Sequence, residues 1–134
     1  MKEFIKSFIQ NENDVNLNLR SVDFFNRSPE SRKIWLTILD RYYDQNPISF
    51  EELISEVCPK YASRQTVRNI VKNAIAQNYL IKTQDKEDKR KFLFTPTDFL
   101  LKESDTWIHS LRRLVGLISL AFALTLSEVM LLEV

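Results

Sequence analysis

The chain has 134 residues, 44% of them hydrophobic and 28% charged, with a formal net charge of +1. This length suits one domain with an appended arm and buries roughly two-thirds of the unfolded surface, so no disulfide or metal staple is required. One Cys excludes an internal disulfide, one Cys and one His argue against a zinc site, and a single Gly, Gly116, excludes glycine-rich phosphate loops and dinucleotide fingerprints.

The first nine residues, MKEFIKSFI, place Phe4, Ile5, Phe8 and Ile9 at helical spacing, as a short amphipathic segment. The polar, Asn-rich QNENDVNLNL reads as a linker or arm. Val22, Phe24 and Phe25 begin another apolar patch. Ser28-Pro29-Glu30 is a helix start, with Ser as N-cap, Pro at the first helical position and an acid in the first turn. Ile34, Trp35, Ile38, Leu39 and Tyr42 then lie on one helical face. That helix ends before Asn46-Pro47, because a residue preceding Pro resists the helical region.

Ser49-Phe50-Glu51-Glu52 is a capping box that opens a short helix with Leu53, Ile54 and Val57 inward. Pro59 ends it. Ser63 caps the next helix, over residues 63–77, whose inward face is Val67, Ile70, Val71, Ala74 and Ile75. Asn78 tolerates the left-handed conformation at a helix end. Residues 79–83 read as a strand, DKEDKRK as a loop and residues 92–95 as a second strand. Thr97-Asp98 caps a long last helix from about Phe99. Pro96 is expected to shorten the second strand.

Charge is unevenly placed along this order. From Cys58 to Lys91 there are nine Lys/Arg and three acids, a local net of +6. The remaining ten Lys/Arg and fifteen acids leave −5 elsewhere. A basic third on a neutral protein is the electrostatic footprint that a polyanion needs.

Two helices joined by a tight turn, then a two-stranded ribbon with a basic tip, make a winged helix-turn-helix. The fold class is mainly α with a small β-wing. In a helix-turn-helix the second helix enters the major groove. Here its outward face carries Arg64, Gln65, Arg68, Asn69, Lys72 and Asn73. Arg pairs bidentately with guanine, and Gln or Asn with adenine. Arg64, Gln65, Arg68 and Asn69 are therefore the candidates for base edges, with Lys72 for a phosphate. Ser63 and Thr66 sit at the helix start, whose free N–H groups favour a phosphate. The bland alternative is a solvated helix face; the coincidence of the +6 span with the wing favours DNA.

Residues 31–100 resemble the DNA-binding core of the MarR family of bacterial transcription regulators. The resemblance rests on Ser63, Thr66, Val67, Ile70 and Val71, on Asn78-Tyr79-Leu80-Ile81, and on Asp88-Lys89-Arg90 followed by Phe92-Leu93-Phe94 and Thr97. Asn78 stands where Gly is usual. The resemblance implies a homodimer, a recognition helix in the major groove and a wing, residues 84–92, at the minor groove. It also implies that Arg90 is the wing's probe and Asp88 its positioning partner. Lys86, Lys89 and Lys91 are then phosphate-range charges. No cofactor is implied. A small-molecule effector remains unidentified; Phe24, Phe25, Trp35 and Trp107 could line a pocket for one, although aromatics at such spacing are more often core.

The family's dimer interface uses N- and C-terminal helices, which assigns residues 1–30 and 101–134 to dimerisation. Leu114–Leu132 holds a single charged residue, Glu128, and Gly116, Ser119, Ala123 and Ser127 form a small-residue stripe. A dimer helix is preferred here over a membrane segment, since Glu128 is costly in lipid. The absence of a signal peptide favours the cytoplasm. Cys58 reads as an inert thiol and His109 as structural. No nucleophile–base pair is visible, so an enzyme is not expected. The competing reading is a winged-helix protein-interaction module, tethered or not to a membrane by its apolar tail.

Overall fold

A computed structural model of the chain describes residues 1–7, 9–10 and 19–132. Phe8 and most of the expected Asn-rich arm, residues 11–18, lie outside the described residues. The chain divides into two compact units, Arg20–Ser104 and Met1–Leu19 with Asp105–Val134.

In the first unit, α1 (Arg20–Phe25) buries Val22, Phe24 and Phe25, residues that the sequence marks only as an apolar patch. Phe25 stacks on Trp35, with ring centroids 6.2 Å apart, and Phe24 meets Phe25 and Tyr79 edge-on. Burial of this aromatic set requires its polar neighbours to be bonded. The Ser21 N–H and hydroxyl both donate to Glu103 Oε1, at 2.8 and 2.6 Å, and Trp35 Nε1 donates to Ser104 Oγ at 3.1 Å.

The helix α2 (Pro29–Tyr43) starts as expected: Ser28 Oγ accepts from the Ser31 N–H and Pro29 takes the first turn. It buries Ile34, Trp35, Ile38 and Leu39. The next helix, α3 (Phe50–Val57), has a complete capping box formed by Ser49 and Glu52. Ser63 caps α4 (Arg64–Ala76), which buries Val67, Val71 and Ala74. Asn78 then turns the chain with φ 65°, and the Tyr79 N–H closes on the Ala74 carbonyl at 2.8 Å. This is the left-handed exit that an Asn can supply in place of Gly.

The wing differs from the expected two-stranded ribbon. A two-residue strand, β1 (Ile48–Ser49), joins β2 (Leu80–Gln84) and β3 (Phe92–Pro96) in an antiparallel sheet of order β1-β3-β2. Ile48 pairs with Phe94, and Leu80 with Pro96. Pro96 is retained as the last residue of β3; at a strand end a proline forfeits at most one ladder bond. Thr97 fastens the wing to α5 (Asp98–Leu132). Its hydroxyl lies 2.9 Å from the Asn78 carbonyl oxygen and accepts from the Leu100 N–H, in the first turn of that helix, at 3.2 Å.

The second unit contains helical residues 2–7 and 9–10 and most of α5. Ser110 and Leu114 are buried, whereas every residue of α5 from Val115 to Leu131 is exposed.

Candidate nucleic-acid interface

The site lies on the first unit, between α4 and the wing. The inward stripe of α4 is aliphatic, so Arg64, Gln65, Arg68, Asn69 and Lys72 are turned to solvent and all are exposed. They are not independent of one another. Gln65 Nε2 donates to Asn69 Oδ1 at 3.0 Å, and Arg68 Nη1 approaches Gln65 Oε1 at 3.4 Å. These i,i+3 and i,i+4 contacts hold the side chains along one face. Ser63 Oγ accepts from the Thr66 N–H at 3.1 Å and lies 2.9 Å from the Thr66 hydroxyl.

A cavity of about 800 Å³ opens between this helix and the ribbon. Arg68, Lys72, Lys82, Arg90 and Lys91 line it, together with Phe50, Phe92, Phe94, Val71 and Ile75. Glu51 and Asp88 are its acids. The lining is thus net cationic with an apolar share, which suits a polyanion.

The ribbon tip is an ordered turn. Asp85 N–H donates to the Lys91 carbonyl at 2.9 Å, Lys91 N–H to the Asp88 carbonyl at 3.0 Å, and Gln84 Nε2 to the Lys89 carbonyl at 2.6 Å. Asp88 Oδ1 accepts from the Arg90 N–H at 3.0 Å and stands 3.6 Å from Arg90 Nε. The Arg90 side chain is 95% exposed. Lys86 and Lys89 are exposed on the tip but do not line the cleft. Of the residues singled out in the sequence, the fold therefore gathers Arg68, Lys72, Asp88, Arg90 and Lys91 around one cleft. Arg64, Gln65 and Asn69 lie along the open face beside it.

Several participants carry no recognisable signal in the sequence. Phe50, hidden within the capping box, lies under both Arg64 and Arg68, each guanidinium 5.5 Å from its ring centroid. Glu51 pairs with Arg64. Lys82 lies 4.2 Å from the centroid of the Phe92 ring. Glu52 links α2, β1 and the wing turn: it accepts from Arg41 Nη2 at 2.6 Å and from Ser49, and it lies 3.5 Å from Nζ of Lys91, the last residue of that turn. The Arg41 hydrogen bond, aided by the Ser49 hydroxyl against the cost of burial, lowers the Glu52 carboxyl to about 2. It stays ionised, beside Lys91, at any ordinary pH.

A three-stranded wing behind an outward-facing basic helix defines the winged helix-turn-helix fold. Solved structures share this fold. The chain is similar to transcriptional regulator Tm0710 from Thermotoga maritima, at 20% identity and TM-score 0.56 over 97% of this chain and 95% of that one. It is similar to S. aureus MepR, solved in complex with DNA, at 15% identity and TM-score 0.58 over 96% and 98%. NadR in complex with 4-hydroxyphenylacetate matches at 14% identity and TM-score 0.57 over 94% and 87%. No sequence-family profile and no curated protein sequence matches the chain.

Proposed function

We propose that the chain is a DNA-binding transcriptional regulator, not an enzyme, whose winged-helix unit works in the cytoplasm as part of a homodimer. The carrying observation is the convergence of Arg68, Lys72, Lys82, Arg90 and Lys91 on one cleft between α4 and the wing. In this reading residues 31–100 grip the duplex. Arg64, Gln65, Arg68 and Asn69 meet base edges in the major groove, and Ser63, Thr66 and Lys72 meet phosphates. Arg90 enters the minor groove, held at its backbone by Asp88, while Lys86, Lys89 and Lys91 lie at phosphate distance.

Residues 1–30 and 101–134 serve dimerisation, which places two copies of α4 for two half-sites. The DNA complex of S. aureus MepR, on the same fold, supports the duplex as partner. The bound 4-hydroxyphenylacetate of NadR supports a small-molecule effector, whose identity stays open. Phe25 and Trp35 are fully buried, and Phe24 is 8% exposed, which makes them core rather than lining for such a ligand.

The test is selection of bound duplexes from a random pool by the full chain, followed by titration of the selected sequence. The reading expects an enriched two-fold symmetric site. Absence of any duplex binding at micromolar protein and low salt would remove it.

A further inference from the structure

We infer that α5, from Leu114 to Leu132, crosses a lipid bilayer. Two arrangements commonly mimic a membrane helix: the buried core helix of a soluble protein and an N-terminal signal sequence. Neither describes α5. Only 6% of its most apolar 18-residue window is buried inside the chain, and it follows the whole winged-helix unit. A Cβ added at Gly116 would meet nothing within 4 Å.

The decisive feature is its circumference. At about 100° per residue, Val115, Phe122 and Leu126 share one face of the helix, and Leu117, Leu120 and Leu124 share the opposite face. These six are 47–65% exposed. A helix that packs on a single partner needs one apolar stripe and keeps a polar back. A second copy of α5 can take one of these faces and leaves the other bare. Lipid covers both, and it covers the outer face of a dimer equally well.

Length and charge agree with this occupant. The 19 residues from Leu114 to Leu132 span about 28 Å of helix, against about 30 Å of hydrocarbon. Arg112 and Arg113 immediately precede them, at headgroup height, on the side from which the chain arrives from the wing. Cations flank membrane helices on the cytoplasmic side. The winged-helix unit would therefore face the cytosol. Glu128, the one charge within the stretch, lies close to its opposite end, where the headgroups of the far leaflet begin.

Insertion of α5 is independent of DNA binding by the winged-helix unit. Its test is flotation of the full chain, synthesised in the presence of vesicles of phosphatidylcholine and phosphatidylglycerol, with subsequent washing in high salt and in alkaline carbonate. The chain is expected to float and to remain after both washes. The double variant Leu120→Arg/Leu124→Arg should reduce the floating share about tenfold or more. A thermal unfolding transition matching the parent's shows that its winged-helix unit is intact. A parent chain that stays at the bottom of the gradient as a discrete soluble dimer overturns the inference. So does release by either wash, or a double variant that floats as well as the parent.

Discussion

Two helices of this protein present exposed faces of opposite chemistry. The helix α4 hides Val67, Val71 and Ala74 and offers Arg64, Gln65, Arg68 and Lys72 to water. Beyond Leu114, α5 hides almost nothing and offers Leu, Ile, Val and Phe in every direction. The first helix is complete as a soluble element, because its apolar stripe is covered and its charges are hydrated. The second is incomplete in water by the same criterion. Exposure alone therefore does not mark a binding surface; the chemistry of the exposed face decides the partner, and the two faces call for partners that respond oppositely to salt.

The largest expected effect bears on the contrast between a satisfied unit and an unsatisfied helix. Trp35→Ala empties a fully buried site, unstacks Phe25 and leaves the Ser104 hydroxyl without its indole donor. It should lower stability by about 3–5 kcal/mol in urea unfolding. An equivalent truncation on α5, Phe122→Ala, should leave unfolding of the winged-helix unit unchanged. Equal losses from both would erase the distinction between the two regions.

On the charged side, Arg90→Ala should weaken DNA binding by about 1–3 kcal/mol, measured by titration of a labelled duplex. Its side chain is almost fully exposed, so thermal stability should stay within about 0.5 kcal/mol of the parent. Unchanged DNA affinity would take the wing out of the interface.

A smaller effect is expected at Glu52. Its carboxyl is lowered from 4.5 to about 2 in the folded chain, so it contributes stability above the unfolded value. That contribution fades as pH falls from about 4.5 towards 2. Glu52→Gln should cost on the order of 1 kcal/mol at neutral pH, the linkage being discounted because the side chain is 38% exposed. The gap between variant and parent should close progressively on acidification below about 4.5. A constant gap across that window would assign the loss to packing instead.

The legible parts of the fold were those set by local chemistry. Ser28-Pro29, the Ser49–Glu52 box, Ser63 and Thr97 all start helices where their side chains meet free N–H groups within three residues. Asn78 could be read for the same reason. The strand β1 could not, because two residues carry no period and become a strand only by pairing with Leu93 and Phe94, far along the chain. Pro96 misled in the other direction, since its cost depends on whether it sits inside a ladder or at its end.

The site divides in a similar way. The cations of α4 and the wing tip stand out in sequence because like residues cluster. Phe50 beneath two arginines and Glu51 on Arg64 depend on the angle between α3 and α4, which no spacing encodes. Both change how α4 is read. Arg64 is engaged by Glu51, yet the pair is exposed and therefore weak enough to exchange for another anion.

The central claim, that α4 and the wing grip the phosphate backbone, is tested most directly by the salt dependence of duplex binding. The full chain, held in mild detergent, would be titrated with the selected duplex across a range of salt concentrations. A homodimer that neutralises about four to five phosphates per subunit should show a log–log slope on the order of −8. Lys72→Ala should make that slope shallower by about 2, one contact per subunit. A slope near zero would contradict the account.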